Sequence, residues 1–97
     1  MRGQYANRRD LAEPEIVNAL ARVGALVERL DYPVDLLVQY RGRTMLLEVK
    51  TPGASKGPSV SARRKAQIAF CAMWRVPIVH TPDEALFAIG ALRELSQ

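Results

Sequence analysis

The chain has 97 residues, of which 48% are apolar and 25% charged, and its formal net charge is +4. That length suits one domain with a modest core, and the composition excludes a disordered or collagen-like chain. No apolar run reaches the ~20 residues of a membrane span, and Cys71, the only cysteine, can form neither an internal disulfide nor a zinc site by itself.

Met1 to Tyr5 shows no apolar signal region, so a cytoplasmic setting is expected. Residues 1–9 read as a flexible polar segment and 10–97 as the single domain. A first helix is expected from Asp10 to about Val23, with Ile16, Leu20, Val23 and Val27 on its buried side. Asp10 suits the N-cap with Glu13 at N3, a capping-box arrangement, and Gly24 ends the helix. Ala25–Leu30 reads as a first strand. Val34–Tyr40 and Thr44–Lys50 read as a hairpin joined at Arg41-Gly42, and 51–58 as a Gly/Pro/Ser loop. Ser59 or Ser61 caps a second helix that runs to about Trp74, with Ile68, Phe70 and Met73 on a buried side and Cys71 in the core. Val76–His80 reads as a short buried strand. Thr81, Pro82 and Glu84 fit N-cap, N1 and N3 of a last helix. The expected class is α/β, in the order α-β-β-β-α-β-α, with a mixed central sheet flanked by helices.

The hairpin carries the chemistry. Side chains alternate along a strand, so Leu46, Glu48 and Lys50 share one face. If Arg41-Gly42 is a two-residue loop, opposed residues have numbers that add to 83, and Asp35 lies opposite Glu48. Such pairs have Cβ atoms about 4.5–5.5 Å apart, and like charges there repel. A divalent cation resolves that conflict. Mg²⁺ or Mn²⁺ takes carboxylate, carbonyl and water oxygens, here from Asp35, Glu48 and the Val49 carbonyl. Lys50 is then placed to assist phosphodiester cleavage. Set against this is a plain surface hairpin carrying a Glu48/Lys50 pair.

Glu13 lies on the inward side of the first helix, as a third acid of the site, a capping residue, or both. Gln67 either orients a water or phosphate near Lys50 or faces solvent. Grouped cations at Arg8 and Arg9, at Arg41 and Arg43, and at Arg63, Arg64 and Lys65 fit either a polyanion partner or a solvated surface.

Asp35, twelve intervening residues and Glu48-Val49-Lys50 together resemble the PD-(D/E)XK nuclease superfamily. Glu13-Pro14-Glu15-Ile16, Gly24 and Val34-Asp35-Leu36 are similar to archaeal Holliday-junction resolvases. Glu48 to Gly53, Ala66 to Phe70, Trp74 and Thr81 to Leu86 look like small stand-alone VRR-NUC proteins of phages and bacteria. One departure is that the usual Pro-Asp pair is split as Pro33-Val34-Asp35. The resemblance implies a restriction-endonuclease-like core and Mg²⁺- or Mn²⁺-dependent cleavage of branched or junction DNA by a homodimer in a bacterial cell. It implies metal ligation by Asp35 and Glu48 with Glu13 as the helix-one acid of the metal site, and catalysis by Lys50 with Gln67 as the helix-two polar residue. Val49 is the further ligand expected from its place on the strand, and Arg8, Arg9, Lys56, Arg63 and Arg64 are the DNA contacts expected from the basic residues. The alternative is a DNA-binding or protein-interaction module that keeps the fold without catalysis.

Overall fold

The computed structural model describes residues 11–51 and 61–93. The expected flexible segment, the Asp10 cap and most of the 51–58 loop lie outside the described residues, as do Arg8, Arg9 and Lys56. The elements in chain order are α1 (Glu13–Arg22), β1 (Leu26–Arg29), β2 (Leu36–Tyr40), β3 (Arg43–Val49), α2 (Ala62–Trp74), β4 (Ile78–Val79) and α3 (Pro82–Ile89). The α-β-β-β-α-β-α order therefore holds. The four strands form one sheet in the order β1-β2-β3-β4. The first two pairings are antiparallel, and β3 pairs with β4 in parallel, so the sheet is mixed.

The β2–β3 hairpin fixes the register of everything near the site. Tyr40 pairs with Arg43 and Leu36 with Leu47, so Arg41-Gly42 is the two-residue loop. Both loop residues have positive φ, 52° at Arg41 and 83° at Gly42. That combination is a type I′ turn, whose twist matches the flanking strands. Gly42 adopts it without strain. Arg41 does so against its β-carbon, while its guanidinium lies 5.2 Å from the centre of the Tyr40 ring.

The two faces of the sheet are covered differently. On one side α1 and α3 bury Ile16, Leu20, Ala85 and Ile89 against Leu36, Val38, Leu47, Val49 and Val79. Each buried Ile, Leu or Val contributes about 1.5–3 kcal/mol on leaving water, so this layer holds most of the core. On the other side α2 covers a smaller cluster of Val34, Cys71 and Val76, with Leu30, Leu46 and Phe70 at its margin. Cys71 is core, as expected.

Three sequence expectations need correction. α2 buries only Cys71, while Ile68 and Met73 are exposed and Phe70 is half-buried against the exposed Trp74. The reason is geometric: Ile68 and Phe70 lie roughly 200° apart around a helix, so one flat contact cannot bury both. Val23 is also exposed, because the chain leaves the α1 axis there and reverses at Gly24 (φ 88°). Finally, α1 starts at Glu13 with Ala12 in the cap position, so Glu13 is not at N3. The Ala12 N–H donates instead to Thr51 Oγ1 at 3.2 Å, tying the start of α1 to the residue after Lys50.

The remaining caps follow the sequence. Ser61 Oγ accepts the Arg64 N–H, and Thr81 Oγ1 accepts the Glu84 N–H. Glu84 Oε1 in turn accepts the His80 N–H at 2.7 Å and meets His80 Nδ1 at 2.9 Å, so His80 is a satisfied structural residue. Among the described residues, no helix is long and apolar enough to cross a membrane.

Candidate functional site

Asp35 directly precedes β2, and Glu48 is the penultimate residue of β3. Extending the hairpin register by one step places them opposite each other, on the face covered by α2. The Asp35 N–H donates to Glu48 Oε1 at 3.2 Å, and Asp35 Oδ2 accepts the Val49 N–H at 2.8 Å. Each carboxylate thus commits one oxygen to the other strand's end.

The electrostatics of this pair are unfavourable as they stand. Glu48 is 6% exposed. Its pKa is pushed up to about 8, first by burial, then by the Asp35 charge, and further by a hydrogen bond to the Asp35 carboxylate that its protonated form can make. The hydrogen bond from the Asp35 N–H, and after it the Arg64 guanidinium, pull it part of the way back. The same burial and the same two acids raise the Cys71 thiol, which therefore stays protonated.

Three of the residues anticipated from the sequence meet Glu48 around one cavity. This space, of about 350 Å³, lies between α2 and the β3–β4 side of the sheet, and Glu48, Lys50, Arg64 and Gln67 all line it. The parallel β3–β4 pairing sets the orientation: Glu48 and Lys50 send their N–H groups to the Pro77 and Val79 carbonyls, each at 3.0 Å. Val49 then directs its own N–H the other way, to Asp35. In a strand a residue's carbonyl points with its N–H, so the Val49 carbonyl also faces the Asp35 side. Gln67 is partly buried, and its Nε2 donates to the Asp31 carbonyl at 3.4 Å while its side chain borders the cavity.

Two of the expected residues stand differently. Glu13 is completely buried, as its inward position required, but Arg29 Nε holds its Oε2 at 2.8 Å. This ties it to the end of β1. Among the described residues no three His, Cys, Asp or Glu side chains converge in a way that would hold a metal ion. Arg63 donates weakly to the Asp31 carbonyl at 3.4 Å and lies 4.7 Å from the centre of the Tyr32 ring, so it braces the turn before β2 instead of facing the cavity.

The chain matches no protein-family model, no curated protein and no solved structure. The geometry therefore stands by itself. It also adds residues that sequence reasoning passed over. Arg75 lines the cavity, and it follows Arg64, Ile68 and Cys71 at helical spacing, a row visible in the sequence. Arg29 had no comparable signal, because its partner Glu13 lies 16 residues away, beyond the reach of helix or strand periodicity.

The fit of a divalent ion rests on the Asp35–Glu48 pair. Two opposed acids, one nearly buried with a raised pKa, form a donor set that a hard cation stabilises. Mg²⁺ commonly takes one or two carboxylates and completes its shell with water and phosphate oxygens, so two acids and a strand carbonyl are sufficient.

Proposed function

We propose that this domain is a metal-dependent DNA endonuclease with a restriction-endonuclease-like core, acting on branched DNA as a homodimer. The observation that carries the reading is the Asp35–Glu48 pair, with Glu48 and Lys50 lining a cavity that Arg64 and Gln67 also border.

Asp35, Glu48 and the Val49 carbonyl would hold Mg²⁺ or Mn²⁺. When bound, such an ion supplies Lewis-acid charge at the scissile phosphate and makes a nearby water more acidic. The protein's own groups supply the rest. Hydrolysis joins a water oxygen to phosphorus and breaks the bond to one sugar oxygen, which leaves with a proton. Lys50 follows Glu48 by two residues and shares its face, so its ammonium can offset charge growing on the phosphate oxygens. Gln67, anchored through Asp31, orients the water or a phosphate oxygen from the helix side. Arg64 draws the phosphate toward the site and lowers the cost of ionising Glu48. Glu13, clamped by Arg29, fixes the start of α1 against the strand ends.

The test is a cleavage assay on four-way junctions, flaps, nicked duplex and linear duplex, with Mg²⁺, Mn²⁺ or EDTA. Metal-dependent cutting of branched substrates is expected. Binding to DNA without cutting in either metal would favour a non-catalytic module.

A further inference from the structure

The cavity beside Glu48 has room for a small ligand. Its volume of about 350 Å³ lies at the small end of the range for ligand pockets, roughly 300–1,000 Å³. Its lining is divided in character. Lys50, Arg64 and Arg75 contribute three cations against the single acid Glu48, while Ile68, Ala72, Val76 and Ile78 provide apolar walls. Ile68 and Ile78 remain 52% and 47% exposed, so the apolar wall is open to an incoming group.

A bare phosphate has no use for isoleucines, and a purely apolar ligand gains nothing from three cations. A nucleotide matches both halves: an anionic phosphate joined by a short linker to a flat ring with two apolar faces. A second copy of this chain fits less well. Residues 61–75 contain no acid, so a symmetric contact through α2 would set like charges against each other.

A paired, stacked base cannot enter such a cavity without first leaving the helix, which is least costly where the base is already unpaired. We propose that this cavity takes the base and phosphate of one unpaired nucleotide at the cut site, so that an unpaired residue there is what the domain selects. This rests on the nuclease reading above and narrows its substrate. Because Glu48 and Lys50 line the same space, a seated nucleotide brings its phosphate to Glu48 and Lys50.

The test is binding in Ca²⁺, a hard oxygen-seeking cation that can neutralise the acids, by fluorescence anisotropy. Three duplexes are compared: fully paired, with one bulged nucleotide, and with the same bulge made abasic. The bulged duplex is expected to bind about tenfold more tightly than the abasic one, the gain from one buried base. Ile68→Ser is expected to bring that ratio close to one. Equal affinity for the bulged and abasic duplexes, or no binding to any of them, overturns the proposal. So does a ratio that Ile68→Ser leaves intact, or loss of self-association as that variant's only effect. Separate cleavage reactions in Mg²⁺ keep the two readings apart. Cutting without a base-dependent gain rejects the cavity assignment alone, and a gain without cutting rejects the nuclease alone.

Discussion

Asp35 and Glu48 hold each other's strand ends: the Asp35 amide donates to Glu48, and the Asp35 carboxylate accepts the amide of Val49, the residue after Glu48. Two acids are thereby fixed side by side, Glu48 nearly buried and Asp35 partly exposed. Hydrogen bonds to backbone N–H groups offset part of the cost, and the remainder appears as the raised pKa of Glu48.

That pKa gives a pH dependence with a definite sign. Glu48 has an ordinary value of 4.5 and a folded value of about 8. Below 4.5 it is protonated in both states and costs nothing. Between 4.5 and 8 the unfolded chain ionises first, so stability falls as pH rises, and the loss is complete above 8. In EDTA, the melting temperature is expected to drop between pH 5 and pH 9 by at least about 5 °C, the effect of ~1 kcal/mol in a domain this small. Glu48→Gln should flatten the curve, and Mg²⁺ should restore much of the loss in the unmodified protein. An equally steep fall in Glu48→Gln would assign the dependence to another group.

Glu13 and Arg29 form an ion pair with one buried and one half-exposed member. Removing the partner of a fully buried charge costs about 3–5 kcal/mol. Solvent around Arg29 reduces this, so Arg29→Ala is expected to cost about 1–3 kcal/mol by urea unfolding. Glu13→Gln should cost less and leave the Mg²⁺ concentration for half-maximal cleavage unchanged. A large rise in that concentration would make Glu13 a ligand after all.

The hairpin turn offers a stabilising change. Arg41 occupies a left-handed conformation that asparagine adopts more readily. Arg41→Asn is expected to gain about 0.5 kcal/mol, net of the lost contact with Tyr40. Thermal melts would show a small upward shift, and a marked downward one would mean that the Arg41–Tyr40 contact outweighs the turn.

The sequence made the Asp35–Glu48 meeting legible because one local feature determined it. Arg41-Gly42 admits a two-residue turn, strand alternation does the rest, and the register observed is the one this implies. The caps at Ser61 and Thr81 were legible for the same reason, since they depend on residues within one turn. What remained hidden depends on neighbours distant in the chain. The apolar residues of α2 are too scattered around its axis to specify a buried face, and which of them the sheet covers is decided by Val34 and Val76, outside the helix. The Glu13–Arg29 pair and the cavity likewise require α1, β1, α2 and β4 to be in place first.

The central claim is that Lys50 assists phosphodiester cleavage at a cation held by Asp35 and Glu48. The measurement that tests it most directly is the single-turnover rate on a four-way junction in Mg²⁺, for the unmodified protein and Lys50→Ala, alongside circular dichroism and calorimetric Mg²⁺ titration of both. Cleavage by the unmodified protein is predicted, falling about 10²–10³-fold or more in the variant while fold and Mg²⁺ binding persist. Equal rates, or no cutting by the unmodified protein in Mg²⁺ or Mn²⁺, would contradict it.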